Sequence, residues 1–255
     1  MGKLPFFPTI GKTLKNSFFE LYNSFGFTVV SSSVWFVACL PVIFLVSITV
    51  NFFFTAVAKH TLDSGLGAFV AVNAMGIAFW NGLLVGPLTT AIYSMRQEMK
   101  EQYPGLKTFF ILFKQYYWRS ALLHWAFSFS MALLFFNCTT ALVGKSIVFM
   151  LAGIFSIYII LFLALMSLFF NPLLNLNNSF KAVIKKSFLL TMDNLGLTLC
   201  LAFGLLVFLL VSIVIPIFLV IAYGAFFVYI VNNMFDAVWS KYDQINDEHG
   251  GANNG

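Results

Sequence analysis

Residues that ionise, ligate metals or attack substrates are nearly absent from the apolar runs of this chain. His124 is the one histidine inside such a run, a few residues from its polar end. That position reads as an interfacial histidine rather than a proton relay. Asp193 and Asp236 flank the last apolar stretch and do not sit within it. No two carboxylates converge in sequence, and neither H-E-x-x-H nor G-x-S-x-G occurs. Cys39, Cys138 and Cys200 lie far apart in apolar runs, a spacing that gives neither a metal set nor a disulfide framework and reads as small buried side chains. The expectation is therefore a protein that is not an enzyme, with no metal and no cofactor, because no nucleophile–base pair is present.

Neutral polar residues offer the remaining chemistry. Asn73 and Asn81 are two helical turns apart on one face, with Asn51 and Asn137 as candidate partners in neighbouring runs. Thr89 and Thr90 follow Gly86-Pro87, where freed backbone groups can line a cavity or simply end a helix. Two readings stand: hydrogen bonds between helices, worth around 1 kcal/mol each, or a site for a small neutral solute formed by Asn73, Asn81, Thr89 and Thr90.

A second pattern pairs lysine with rings. Leu14-Lys15-Asn16-Ser17-Phe18-Phe19, Phe113-Lys114-Gln115-Tyr116-Tyr117-Trp118 and Ile184-Lys185-Lys186-Ser187-Phe188-Leu189 each run from an apolar residue through lysine into bulky apolar residues. Gly26 and Thr28 match Gly196 and Thr198 at the same offset. Such segments can lie in the membrane interface, rings in the acyl boundary and lysine among the headgroups. In the middle segment Leu106, Phe109, Phe110, Phe113 and Tyr117 share one helical face, with Lys107 and Lys114 off it. Lys15, Lys107, Lys114 and Lys185 are thus the candidate interface and partner-contact residues. The alternative is that lysine and rings serve for anchoring alone.

The elements that position these residues are set by hydropathy. Of 255 residues 60% are hydrophobic and 9% charged, against about 25% charged in a soluble domain, which places the chain in lipid. The net charge of +5 sits in short segments between apolar runs, so no nucleic-acid surface is expected. A span needs roughly 20 apolar residues. The runs give six: about 34–57, 69–88, 121–143, 147–170, 197–215 and 218–235. Gly86-Pro87 and Asn171-Pro172 are expected to close the second and fourth spans. The third and fourth form a tight hairpin at Gly144-Lys145. The last uncharged stretch, Leu195 to Phe235, would be about 60 Å as one helix, so it must fold back, with Pro216 as the natural break. Residues 1–26 read as a cytoplasmic interfacial segment, not a cleaved leader, and 239–255 as a disordered cytoplasmic tail. Lys3, Lys12, Lys15, Arg96, Lys100, Lys107, Lys114, Arg119, Lys181, Lys185, Lys186 and Lys241 fall on the side of the N-terminus, and Lys59 and Lys145 on the other, so the N-terminus is expected inside. The fold expected is an all-α, polytopic transmembrane helix bundle of six spans, with three similar helical hairpins, each entered through an interfacial amphipathic helix, as the candidate repeat.

The run Gly86-Pro87-Leu88-Thr89-Thr90-Ala91-Ile92-Tyr93, followed by Arg96 and by Phe109-Phe110 to Phe113-Lys114, resembles the YesL family of small bacterial membrane proteins. The resemblance implies a bacterial plasma-membrane location and a role near carbohydrate uptake, with a sugar importer among the partners. It carries no functional residue, since none is established for the family. The function expected is an accessory or scaffold component in the lipid bilayer; the alternative is a transporter or channel for a small neutral solute.

Overall fold

Lipid offers no hydrogen bonds to a backbone, so an apolar run must satisfy its N–H and C=O groups within a helix. The computed structural model of the protein, which describes residues 6–59, 64–99, 106–143 and 146–250, follows that rule throughout. Helix α1 (Phe6–Asn23) leads into α2 (Phe25–Ala58). α3 (Ser64–Trp80) passes through a π-helical turn, Asn81–Val85, into α4 (Gly86–Met99). α5 (Leu106–Val143), α6 (Ile147–Ser167), the short α7 (Phe170–Asn175), α8 (Phe180–Asp193) and α9 (Leu195–Val214) follow. α10 (Pro216–Phe218) continues through a second π-helical turn, Leu219–Tyr223, into α11 (Gly224–Gly250). No strand occurs among the described residues. Six stretches among them are long and apolar enough to cross a bilayer: Phe25–Ala56, Gly65–Met99, Lys107–Ala141, Ile147–Ser167, Leu195–Val214 and Pro216–Tyr242. The chain is an integral, multi-pass membrane protein, and its fold is the expected all-α six-span bundle.

The prolines show where the expected boundaries shift. Gly86-Pro87 does not close the second span, because α4 runs on to Met99. Pro87 lacks the N–H that the Leu83 carbonyl would take in a regular helix. The π turn before it, in which the Gly86 N–H reaches back to the Asn81 carbonyl, carries the chain past that gap. The Tyr117 hydroxyl donates to the Leu83 carbonyl at 3.1 Å and so replaces the missing donor. Pro41 likewise lies inside α2 and takes the usual N–H away from the Val37 carbonyl; at the next residue the Trp80 indole donates to the Ala38 carbonyl at 2.8 Å. Asn171-Pro172 does not close the fourth span either. α6 ends earlier, at Ser167, and Pro172 falls in the first turn of α7, where a missing N–H costs nothing. Pro216 is the break expected of it: Ile215 adopts φ −118°, ψ 82°, as the residue before a proline tends to, and Pro216 opens the next helix. Phe208 then packs on Tyr223 and Phe226, so α9 and the segment after Pro216 form an antiparallel pair. Gly144-Lys145 lies outside the described residues. α11 continues to Gly250, across most of the stretch read as an unstructured tail.

The chain divides into two compact units, one of residues Met1–Phe36 with Leu168–Gly255 and one of Val37–Ser167. In the first, α2 and α11 run antiparallel. Thr28 shares a 3.1 Å hydrogen bond with Tyr229, and the Ser32 hydroxyl accepts the Ala225 N–H at 2.9 Å. In the second, the π turn and α4 run antiparallel to α5. Asn81 donates to Ser128 at 2.6 Å, and Thr90 and Ser120 share a 2.7 Å bond. Each π turn ends at a glycine in close contact with the facing helix. Gly86 lies against the His124 ring, and Gly224 against Ser32 and Trp35. Matching these two glycines makes Ser120 the counterpart of Thr28 and Leu106-Lys107 the counterpart of Leu14-Lys15. The middle copy of the candidate repeat is therefore set about two helical turns earlier than the alignment on Lys114. Thr198, the third counterpart, is fully buried like Thr28 and Ser120.

Candidate functional site

The four solute-site candidates do not converge. Asn73 donates to the Phe69 carbonyl of its own helix at 2.9 Å. Asn81 is bound to Ser128, and Thr89 donates to Val85 at 2.7 Å. Thr90 donates to Gly86 at 3.1 Å in addition to its bond with Ser120. Along the helix Asn81 and Thr90 are about 13 Å apart. Asn51 and Asn137 are not the partners of Asn73 and Asn81. Asn51 donates to Ser47 at 2.9 Å, and Asn137 is exposed. A cavity of about 450 Å³ does lie among α2, α3 and α5, lined by Val46, Ala74, Ala78, Phe127, Met131 and Phe135 with Thr49 and Ser128 as its polar members. Thr49 donates to Leu45 at 2.8 Å and Ser128 is held by Asn81, so the lining suits hydrocarbon rather than a polyol.

A polar seam joins α4 to α5. The Thr90–Ser120 bond extends to His124, whose Nδ1 lies 2.9 Å from the Ser120 carbonyl and 3.2 Å from its hydroxyl. A carbonyl only accepts, so Nδ1 carries the proton. The histidine ring packs on Gly86. Ser94 donates to the Thr90 carbonyl at 3.0 Å. Arg96, read from the sequence as a loop charge, is 4% exposed in the last turn of α4, beside the fully buried Tyr93. A cation at a helix C-terminus also complements the helix dipole. Among the described residues no group of three or more His, Cys, Asp or Glu side chains is placed to hold a metal ion.

The lysine-aromatic segments are the exposed polar feature. Lys15, Lys107, Lys114 and Lys185 are all exposed. In α5, Leu112, Tyr116 and Ser120 are buried, while Phe110 (67% exposed), Ile111 and Trp118 (67%) face outward. Rings expected to share a face do meet: Phe109 stacks on Phe113 at 6.3 Å, and Phe113 packs tilted against Tyr117 at 5.4 Å between centroids. That ladder is half-buried, and the fully buried face is the neighbouring one of Leu112 and Tyr116. Sequence reasoning missed the polar residues that pin helix to helix. Asn233 donates to Ser17 at 3.0 Å, and Tyr242 donates to Asp193 at 2.9 Å and accepts from Asn194 at 3.3 Å. Trp125 donates to the Phe79 carbonyl beside the π turn at 2.9 Å. For Tyr117 and Trp125 the available signal was a ring bearing an O–H or N–H opposite the Gly-Pro irregularity of the second span.

No family model, curated protein or solved structure matches the chain.

Proposed function

We propose that the protein is a non-catalytic accessory or scaffold component of the bacterial plasma membrane, both termini cytoplasmic, which docks a partner subunit through the entry segment of α5. The length of α5 carries this reading. Its 38 residues span about 57 Å, and a bilayer with its headgroups is about 40–45 Å thick. A tilt of about 20° shortens the reach by only about 3 Å, so roughly two turns stand clear of the headgroups. Counted from the start of α5, those two turns present Lys107, Phe110 and Ile111, and Lys114 and Trp118 follow on the next turns, at the headgroups. Exposed rings interleaved with cations on a preorganised helix suit a protein partner, since aromatic anchors dominate interface energetics.

The distribution of lysine and arginine supports the orientation, and an even number of crossings returns the C-terminus to the same side. The family resemblance supports a sugar importer as the partner. Transport of a neutral solute has weaker support, because the amide nitrogens of Asn73 and Asn81 and the hydroxyls of Thr89 and Thr90 are all engaged in bonds within the protein. Affinity capture from membranes tests the reading. Wild-type protein should retain a membrane-protein partner that Lys107→Glu with Lys114→Glu loses; a partner set unchanged by that pair would refute docking at α5.

A further inference from the structure

The other two lysine-aromatic helices differ from α5 in their course. Ser17 meets Asn233 at 3.0 Å and Thr28 meets Tyr229 at 3.1 Å. Eleven residues from α1 into α2, about 16 Å if straight, therefore match four residues of α11, about 6 Å. α8 behaves alike: the Lys186 ammonium lies 5.5 Å from the Trp239 ring centre and Asn194 bonds Tyr242 at 3.3 Å. Eight residues of α8 then match three of α11. Both helices thus pack on α11 before the spans they precede, α1 through Ser17 and α8 through Lys186 and Asn194.

Their faces are assigned by burial. Thr9, Thr13 and Ser17 of α1 are buried, as are Val183, Ser187 and Thr191 of α8. Lys15 and Lys185 each precede the buried serine by two residues, about 200° around the helix, so both point away from the protein. Phe7 (82% exposed), Phe19 and Tyr22 (80%) share the outer surface of α1, with Phe18 at its edge packing on Phe226, and Phe188, Leu189 and Met192 share that of α8. Lys12 and Lys181 are exposed too. Asp193, at the end of α8, accepts from Tyr242 at 2.9 Å.

We propose that the outer faces of α1 and α8 are binding sites for anionic phospholipid headgroups, with Lys12 and Lys15 holding one phosphodiester and Lys181 and Lys185 another. The rings enter the acyl boundary beside them, as in amphipathic helices that combine buried apolar area with basic charge. This is independent of the α5 docking reading, because it concerns different helices and a different partner. Each lysine near an anionic surface is worth about fivefold in binding.

The test uses the full chain in nanodiscs of equal phosphatidylcholine and phosphatidylglycerol, with lipid retained after extraction measured by mass spectrometry. Wild type should retain phosphatidylglycerol preferentially. Lys12→Gln with Lys15→Gln, and separately Lys181→Gln with Lys185→Gln, should each lower that preference, by up to about 25-fold at the site affected. Lysine-to-arginine replacement at all four positions should retain it, and Lys107→Gln with Lys114→Gln should leave it unchanged. A preference unmoved by either α1 or α8 pair overturns the proposal. So does an equal loss in the α5 pair, which would mean that net charge alone attracts the lipid.

Discussion

Replacing Tyr117 by phenylalanine removes one oxygen and keeps the ring that packs on Phe113. The oxygen lost is the donor to the Leu83 carbonyl at 3.1 Å, the carbonyl that Pro87 deprives of its usual N–H. A hydrogen bond of this kind contributes about 0.5–1.5 kcal/mol net. Polar pairs inside membrane proteins average about 0.6 and reach about 1.7 kcal/mol. Leaving a half-buried carbonyl without a donor moves the cost toward the upper end, so Tyr117→Phe should destabilise by about 1–1.5 kcal/mol. In a Pro87→Ala background the new Ala N–H competes for Leu83, and the same tyrosine replacement should cost less than about 0.5 kcal/mol. Reversible unfolding in mixed micelles, followed by circular dichroism across the four proteins of the cycle, measures the coupling. An equal cost in both backgrounds would refute the claim that the tyrosine stands in for the proline's missing donor.

Other consequences follow from the same contacts. Alanine at Gly82 or Gly86 would drive a Cβ into the Trp125 or His124 ring, so each should destabilise by about 1–3 kcal/mol in the same assay. Gly204 has open space for 4 Å around the position a Cβ would take. Alanine there should be accepted with no loss and gain up to about 1 kcal/mol of helix propensity. Thr28→Val breaks the bond to Tyr229 and should cost about 1 kcal/mol, whereas Thr140→Val, at a bond within one turn, should be near neutral. Asn81→Leu should leave sugar flux in proteoliposomes at the background of empty vesicles, as should wild type; a flux that depends on Asn81 would restore the solute-site reading.

Much of the architecture was legible because it depends on solubility in lipid, which hydropathy measures directly. The six apolar runs are the six crossing segments, and the length of Leu195 to Phe235 alone demanded the break found at Pro216. Helix ends were not legible by the same means. The first turns of α5 are too polar to count as span yet belong to one helix with it, and α4 continues the second crossing helix because Tyr117 and the π turn remove the reason to stop at Pro87. Arg96 was misread for that reason: its charge suggested a loop, and its burial depends on a helix that the charge itself conceals. The candidate solute residues were visible as polar side chains in apolar runs, but which carbonyl or hydroxyl each would take depends on packing. The repeat was visible as Lys-aromatic text, and its register only through contacts at Gly86 and Gly224.

The central claim is a six-crossing chain whose three lysine-aromatic entry segments lie on one side. It is tested most directly by single cysteines placed in a background lacking Cys39, Cys138 and Cys200, and labelled with a membrane-impermeant maleimide. Lys15→Cys, Lys114→Cys and Lys185→Cys should label in inside-out vesicles and not in intact cells, with Lys59→Cys and Lys145→Cys showing the reverse. Labelling of Lys185→Cys from outside, or of Lys15→Cys and Lys114→Cys from opposite sides, would contradict it.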